Sequence, residues 1–313
     1  MSRPFEPLEC RSVRLVFLGT PEFAVPSLEA LAREHEVVLV VAQPDKPAGR
    51  GMRLQVPAVA LKARELGLPL AQPAKIRNVD FLARVRALGP DAGIVVAYGK
   101  ILPAALLEIP KHGFLNVHAS ILPYYRGAAP IQRAIEHGEH ETGATIMRVD
   151  EELDHGAVLA IERTQIDPDE HTPELAARLS RLGAGALSGV LADLGHAVET
   201  PQDHAAATLA PKIEKSEGAI RWDAPARAIY DKFRAFDPWP GLTAGELKLI
   251  DIKPAEGRGM PGTIVSIDDE GVVVATGEGA LRLITLQRAG KARVSAVDMA
   301  RGRGWKVGVS LPG

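Results

Sequence analysis

The sequence contains one cysteine, Cys10, among its 313 residues. A single cysteine excludes a disulfide within the chain and any metal site built on several thiolates, which fits a reducing compartment. No run of eighteen apolar residues occurs, so the sequence predicts no membrane-spanning helix. The first twelve residues lack the apolar core of a secretory signal and are expected to form a ragged extension. These absences predict a cytoplasmic protein.

Aromatic residues make up only 4% of the chain, so side chains that could stack on unpaired bases are few. The net charge of −2 indicates no general attraction to polyanions. Between residues 280 and 313, however, seven Lys or Arg accompany one acid, Asp298. Within this run we take Arg288, Lys291 and Arg293 as candidate nucleic-acid contacts. The alternative interpretation is an ordinary solvated face.

The first two thirds of the chain alternate apolar runs with amphipathic stretches. Apolar runs at 13–18, 36–42, 92–97, 114–118 and 144–149 predict strands. Helical patterns fall at about 22–33, 56–66, 79–88, 128–137 and 172–194. This alternation predicts a Rossmann-like α/β domain with a parallel sheet covered on both faces. Ligands of such sheets bind at the carboxyl ends of the strands.

The pattern changes after residue 200. A polar segment at 201–217 with two prolines predicts a linker. Beyond it, short apolar stretches separated by glycine turns predict a small antiparallel β-barrel, OB-like in size, over 218–313. We therefore predict an α/β domain over 1–200, with its extension at 1–12, followed by the linker and the barrel.

The most informative segment is Asn116-Val117-His118, at the end of a predicted strand. Side chains two apart on a strand point to the same face, so the amide and the imidazole would project together. Both can donate hydrogen bonds to a developing oxyanion, and His can also exchange a proton near neutral pH. Asp154 lies in a predicted loop and offers a carboxylate to orient the His. An isolated Asn-x-His also occurs in strands without function, but the surrounding segments favour catalysis.

Three segments together resemble the folate-dependent formyltransferases: N-V-H-A-S-I-L-P, Y-Y-R-G-A-A-P-I-Q and V-D-E-E-L-D-H-G. The departures are Ala119 and Glu152, where Gly is usual or frequent, and Ile121, where Leu is usual. The resemblance implies 10-formyltetrahydrofolate as formyl donor and no metal. It assigns catalysis to Asn116, His118 and Asp154. It assigns folate binding to four successive residues, Ser120, Ile121, Leu122 and Pro123.

The C-terminal third resembles the branch of that family that formylates methionyl-initiator tRNA. The segments that carry this resemblance are K-I-E-K-S-E-G-A-I-R-W-D, R-A-F-D-P-W-P-G and L-Q-R-A-G-K-A-R-V-S-A. The similarity extends from about residue 13 to 305, and the purine-pathway branch lacks this second domain. It implies initiator tRNA as partner. Nothing in the sequence demands an oligomer, and a monomer is expected.

A basic segment at 42–57 is rich in proline and glycine and carries Lys46, Arg50 and Arg53. This composition predicts a loop without helix or strand. Taken alone, it fits a solvated surface loop or an arm that contacts nucleic acid. The resemblance implies an inserted loop that contacts the acceptor stem of the tRNA, with Arg50 as the matching residue and Lys46 and Arg53 as further candidates.

Three alternatives stay open on sequence alone. A formyltransferase acting on an amino sugar nucleotide or on glycinamide ribonucleotide would keep the catalytic residues without the basic segments. A non-catalytic tRNA-binding protein would keep the barrel but would have no use for Asn116, His118 and Asp154 together. A Rossmann oxidoreductase is opposed by the missing G-x-G-x-x-G pattern. His137 and His140 lack an obvious third ligand, so no metal site is predicted.

Overall fold

A computed structural model of the chain describes residues 12–48 and 53–313. The predicted extension, apart from Ser12, and Arg50 lie outside the described residues. The chain divides into two compact units. The first contains the described residues up to Gly127, together with Thr142–Thr164 and Ala176–Leu209; the second contains Ala128–Glu141, Gln165–Leu175 and Ala210–Gly313.

The strands follow one another along both units. In chain order they are β1 Arg14–Gly19, β2 Glu36–Val41, β3 Lys46–Ala48, β4 Arg53–Gln55, β5 Leu70–Ala71, β6 Ala92–Val96, β7 Phe114–His118, β8 Arg126–Gly127, β9 Glu141–Arg148, β10 Val158–Gln165, β11 Leu209–Ala210, β12 Leu242–Ala244, β13 Leu247–Ala255, β14 Ile264–Asp268, β15 Gly271–Ala275, β16 Ala280–Arg288 and β17 Arg293–Ser295.

The α-helices are α1 Val25–Glu34, α2 Ala58–Glu65, α3 Val79–Ala87, α4 Ala104–Leu107, α5 Pro130–Glu136, α6 Thr172–Ala192, α7 Ala226–Ala235 and α8 Ala296–Arg303. Short 3₁₀ turns cover Glu22–Ala24, His204–Ala206 and Lys215–Gly218. Among the described residues, no helix is both long enough and apolar enough to cross a membrane.

The first unit is built on a seven-stranded sheet in the order β10-β9-β7-β6-β1-β2-β5. The pairs β1–β2, β1–β6, β2–β5 and β6–β7 are parallel, as expected for strands joined through helices. The strand predicted at 144–149 belongs to β9, which runs antiparallel to β7, so the predicted parallel sheet is mixed at this edge. Its apolar run matches that of a parallel strand because it too is buried on both faces.

Apolar side chains cover both faces of this sheet, as the sequence predicted. In β1, Leu15 and Phe17 join one core with residues of α1, α2 and α6, while Val16 and Leu18 join another with residues of α3. The alternation reflects the two-residue period of a strand. The α/β fold class predicted from the sequence is confirmed.

The basic segment is not entirely irregular. Its two flanks, β3 and β4, form a short antiparallel ribbon with Lys46 opposite Gln55 and Pro47 opposite Leu54. The prediction that this composition excludes strands was therefore wrong. A two-stranded ribbon leaves alternate backbone N–H groups unpaired, so a proline can occupy one of its positions without losing a ladder bond.

The second unit contains an antiparallel sheet in the order β12-β13-β16-β15-β14, with β17 also paired to β16. The first part of β16 pairs with β15 and its last part with β17, while β13 pairs along its whole length. One strand that changes partners along its length is typical of the curved sheets of small barrels. The predicted short C-terminal strands are thereby confirmed.

Candidate active site

Strand β7 presents Asn116 and His118 on one face of the sheet. Their neighbours Leu115 and Val117 belong to the apolar core shared with α1, α2 and α6, whereas Phe114 belongs to the core on the α3 side. Alternation along the strand therefore directs the two polar side chains to the α3 side. His118 is the last residue of β7 and is only 5% exposed, while Asn116 is half-buried. The Asn116 amide has no hydrogen-bond partner among the described residues.

The ring of His118 is oriented by a backbone carbonyl. Its Nε2 lies 2.8 Å from the carbonyl oxygen of Tyr125. A carbonyl can only accept, so Nε2 must carry the hydrogen, and the neutral ring has its lone pair on Nδ1. Nδ1 lies 3.6 Å from Oδ2 of Asp154. A second N–H is therefore available from this ring only when Nδ1 is also protonated.

Asp154 is held in an uncommon backbone conformation. Its φ of 49° lies in the left-handed region, which costs free energy for a residue with a Cβ. Its Oδ2 accepts a hydrogen bond of 2.8 Å from the backbone N–H of Gly127, and its carbonyl accepts one of 3.0 Å from Nε2 of Gln202. Strained residues of this kind concentrate at functional sites. The structure thus brings Asp154 and His118 together, although 36 positions separate them in the printed sequence.

The predicted folate segment at 120–123 directs two of its four side chains inward. Ser120 is fully buried and its Oγ donates a hydrogen bond of 2.6 Å to the Tyr124 carbonyl, and Leu122 is 4% exposed. The Leu122 N–H donates to Oγ1 of Thr145 at 3.2 Å. A ligand lying against this segment would contact Ile121, Pro123 and the backbone rather than the Ser120 hydroxyl.

The neighbouring strand end, after β6, is also strained. Ala97 has a φ of 47°, and the carbonyl of Tyr98 accepts hydrogen bonds from Thr20 Oγ1 at 3.0 Å and from Gln43 Nε2 at 2.8 Å. These contacts tie together the ends of β1, β2 and β6, where parallel sheets bind ligands. Burial raises the pKa of the Tyr98 hydroxyl, so this phenol stays protonated at neutral pH.

The candidate nucleic-acid residues fall into two groups. Lys46 is exposed at the start of β3 and its Nζ donates to Oε1 of Gln43 at 2.8 Å, while Arg53 begins β4. In the second unit, Arg288, Lys291 and Arg293 lie on the hairpin between β16 and β17. All three hairpin side chains are exposed, and the described residues place no carboxylate within ion-pair distance of any of them.

Sequence reasoning missed four residues that contact this site: Tyr125, Arg126, Gln202 and Thr208. Tyr125 and Arg126 belong to the Y-Y-R-G segment quoted for the resemblance, so the sequence drew attention to them but did not indicate what they do. Gln202 and Thr208 lie in the segment predicted as a linker. Their partners are 48 and 83 residues away in the chain, a separation at which local pattern carries no information.

Two family models match the chain. The one described as formyl transferase matches residues 13–191, and the one described as formyl transferase, C-terminal domain, matches residues 212–304. The chain belongs to the formyl transferase family. The resemblance found in the sequence is thereby confirmed.

This formyl transferase is similar over nearly its whole length to several curated relatives. A protein of Deinococcus radiodurans named methionyl-tRNA formyltransferase is 48% identical, and the alignment covers 93% of each chain. Relatives of the same name from Sorangium cellulosum and Thermus thermophilus are 46% and 45% identical; each alignment covers 96% of this chain and 99% of the relative.

Solved structures share the fold at low sequence identity. The N-formyltransferase of Helicobacter canadensis, in complex with folinic acid and dTDP-3-aminofucose, has a TM-score of 0.68 at 16% identity, over 87% of this chain and 98% of that one. HypX of Aquifex aeolicus in complex with tetrahydrofolic acid has a TM-score of 0.62 at 20% identity, over 92% of this chain. This formyl transferase spans about half the length of HypX, 47% of that chain.

Proposed function

We propose that this formyl transferase moves the formyl group of 10-formyltetrahydrofolate to the α-amine of methionine carried by initiator tRNA, for translation initiation. The observation that carries the proposal is full-length similarity at 45–48% identity to relatives named methionyl-tRNA formyltransferase. That similarity includes the C-terminal region matched at 212–304. Formyl donor and charged tRNA are both substrates, and no metal takes part in the mechanism.

The catalytic step is an acyl transfer between two nitrogens. The methionyl amine attacks the formyl carbon, the bond from that carbon to folate N10 breaks, the amine gives up a proton and N10 takes one. Negative charge develops on the formyl oxygen in between. Asn116 is suited to stabilise this oxygen, because its amide is half-buried and its N–H groups are uncommitted to other described residues.

His118 contributes as a charged donor. Because Nε2–H is already given to the Tyr125 carbonyl, the second hydrogen bond, from Nδ1, requires the imidazolium form. Asp154 stands 3.6 Å from Nδ1 and supports that charge, and its carboxylate can pass a proton between amine and folate through a water. We assign no nucleophile to the protein, because the substrate amine supplies it.

We place the folate against residues 120–123 and the neighbouring strand end after β6. Ile121 and Pro123 are partly exposed and can contact the ligand. Ser120 is buried and contributes by holding the Tyr124 carbonyl with its hydroxyl. The carbonyls and N–H groups of such strand ends recognise ring edges without needing side chains.

The tRNA is proposed to contact Lys46, Arg50 and Arg53 of the basic segment and Arg288, Lys291 and Arg293 of the hairpin. Lys46 and the hairpin side chains are exposed, and Lys and Arg bind phosphates through charge-assisted hydrogen bonds. We place the reaction in the cytoplasm, where translation uses the charged tRNA. We expect a monomer, since one chain supplies both sets of proposed contacts.

The deciding experiment compares amine acceptors with labelled 10-formyltetrahydrofolate. Methionyl-initiator tRNA, methionyl-elongator tRNA, free methionine and a dTDP-amino sugar are each offered to the purified protein. We expect label on the charged initiator tRNA and none on the free amino acid or the sugar. Label on the amino sugar, or on free methionine at the same rate as on tRNA, would contradict the proposed acceptor.

A further inference from the structure

The segment at 202–208, here called the strap, lies between the stretches matched by the two family models and was predicted to be part of a linker. It belongs to the same compact unit as Asn116, His118 and Asp154. Although it was predicted to be a linker, it makes a set of specific hydrogen bonds to both sides of the catalytic centre.

Thr208 holds the turn that follows the predicted folate segment. Its N–H donates to the Pro123 carbonyl at 3.3 Å, its Oγ1 accepts from the Tyr125 N–H at 2.9 Å, and its carbonyl accepts from the Arg126 N–H at 2.9 Å. Three hydrogen bonds from one residue therefore set the path of the chain over residues 123–126.

This turn decides where the carbonyl that orients His118 stands. Tyr125 has a φ of 60°, a left-handed conformation that is unfavourable for a residue with a large side chain. Its N–H is bonded to Thr208 Oγ1 and its carbonyl to His118 Nε2. If the hydrogen bond from the Tyr125 N–H is lost, the strained peptide can relax. The carbonyl that orients the His118 ring then moves.

Gln202 holds the backbone of Asp154 in place, as Thr208 holds that of Tyr125. It is 7% exposed, and its Nε2 donates to the carbonyls of Asp154 at 3.0 Å and Gly156 at 2.7 Å. Together with the Gly127 N–H, which donates to the carboxylate, these bonds hold Asp154 at both ends. Asp154 keeps its left-handed φ because its surroundings determine its position from two directions.

Arg126 determines which way the Gln202 amide points. The residue is 8% exposed, and its guanidinium donates to Gln202 Oε1 from Nε at 3.1 Å and from Nη2 at 2.6 Å. With Oε1 facing these donors, Nε2 has to face the two carbonyl oxygens, so the amide has one satisfactory orientation. Arg126 also bonds Nδ1 of His204 at 2.9 Å, and the ring of His204 stacks on His155 with centroids 3.9 Å apart.

We propose that the strap is a positioning element of the active site: Thr208, through Tyr125, sets the ring of His118, and Gln202 sets the backbone of Asp154. As a statement about catalysis, this rests on the proposed function. Neither side chain touches the reacting atoms, so both are positioning residues. The strap works by holding two strained peptides in place.

Two substitutions test the two contacts separately. Gln202→Glu keeps the size and the acceptor for Arg126, but an ionised carboxylate cannot donate to the carbonyls of Asp154 and Gly156. Thr208→Val keeps the shape and removes the acceptor for the Tyr125 N–H, whereas Thr208→Ser keeps that acceptor. Thr263→Val, in the second unit, is the matched control, because among the described residues the one hydrogen-bond partner of its Oγ1 is Ser310 Oγ, at 3.3 Å.

We expect kcat to fall about 10- to 100-fold in Gln202→Glu and Thr208→Val, the scale seen when a reacting group is displaced by about 1 Å. The KM for each substrate should change less than about threefold. Tm should stay close to that of wild type in Thr208→Val and fall in Gln202→Glu, because that variant leaves two carbonyls without their donor. Thr208→Ser should recover most of the lost kcat, and Thr263→Val should match wild type. Wild-type kcat in either test variant would overturn its half of the proposal, and equal losses in Thr208→Val and Thr208→Ser would overturn the role of the hydroxyl.

A readout without substrate separates this proposal from the proposed function. The ¹⁵N signals of the His118 ring, identified with a His118→Gln variant, report its tautomer and hydrogen bonds in the protein alone. They should shift in Thr208→Val and return in Thr208→Ser. Unchanged signals in Thr208→Val would overturn the positioning of His118, whatever amine proves to be the acceptor. If the wild-type protein formylates no tRNA while Thr208→Val shows the expected shifts, only the proposed function is contradicted.

Discussion

Asn116 and His118 differ in how much of their hydrogen-bonding capacity is left for a substrate. His118 spends one N–H on the Tyr125 carbonyl, whereas the amide of Asn116 is uncommitted among the described residues. An uncommitted donor in a half-buried position is available at full strength to a developing negative charge, because little water competes for it. We therefore propose Asn116 as an oxyanion donor that does not depend on the charge of His118.

We predict that Asn116→Ala lowers kcat about 100- to 1,000-fold, the usual cost of removing one oxyanion donor, and leaves folate binding nearly unchanged. Single-turnover formyl transfer measures the first effect and folate titration the second. Asn78→Ala is the matched control: its Oδ1 caps α3 by accepting from the Phe81 N–H at 3.0 Å, far along the chain from the site. That variant should lose stability and keep its rate. An Asn116→Ala enzyme within about threefold of wild type would remove Asn116 from the mechanism.

At the scale of an element, the cations of the β16–β17 hairpin differ from other cations of the same basic run in lacking a carboxylate partner among the described residues. Three other arginines of the same basic run have carboxylate partners: Arg282 with Asp268, Arg301 with Asp298 and Arg303 with Glu246. The hydrogen bond from Arg303 lowers the pKa of Glu246, with a smaller contribution from Arg288. The hairpin cations are left without such partners among the described residues, so their charge is available to a phosphate backbone.

We predict that replacing Arg288, Lys291 and Arg293 together by Gln raises the KM for charged tRNA without changing the KM for folate. The logarithm of tRNA affinity should also depend less steeply on the logarithm of salt concentration, by about two units for three lost phosphate contacts. Arg301→Gln, which removes a cation already paired with Asp298 at 3.1 Å, should leave the salt slope unchanged. An unchanged slope in the triple variant would show that the hairpin does not meet phosphates.

At the scale of the whole molecule, His35 in the first unit and Tyr230 in the second make stability depend on pH. In the first unit, burial lowers the pKa of His35 from its ordinary value of 6.5, against a smaller opposing effect of Glu34. The unfolded chain then binds a proton before the folded one does, so stability falls as the pH drops below about 6.5. In the second unit, burial and then the hydrogen bond to Asp169 raise the pKa of Tyr230 from 10.0 to about 12. The unfolded chain ionises first there, so stability falls as the pH rises above about 10.

Denaturant unfolding at pH values of about 5.5, 8 and 11 tests both limits. His35→Leu should lose less stability than wild type between pH about 8 and 5.5. Tyr230→Phe should lose less than wild type between pH about 8 and 11. His196→Gln, which changes a histidine whose side chain is 86% exposed, should follow wild type on the acid side. Parallel pH profiles for wild type and His35→Leu would show that His35 carries none of the acid sensitivity.

Much of the fold was open to prediction because its signals are local. The apolar runs of β1, β2, β6 and β7 and the three- and four-residue steps of α6 lie within single elements, and all were found within two or three residues. The direction of β9 was not predictable, since a strand buried on both faces has the same composition whichever way it runs. The two-residue strand β5 and the eight-residue strand β10 also escaped prediction; β10 is largely half-exposed and lacks a continuous apolar run.

By itself, the sequence determined the α/β class, the placing of Asn116 and His118 on one strand face, and the family to which the chain belongs. Each of these depends on residues close together in the chain or on motifs. Only the tertiary structure decided which tautomer His118 adopts and that Gln202 and Thr208 hold Asp154 and Tyr125. Those contacts join residues separated by 48 and 83 positions, and they keep two backbone conformations that no short segment would adopt alone. Such conformations persist only where distant parts of the chain supply hydrogen bonds from opposite sides.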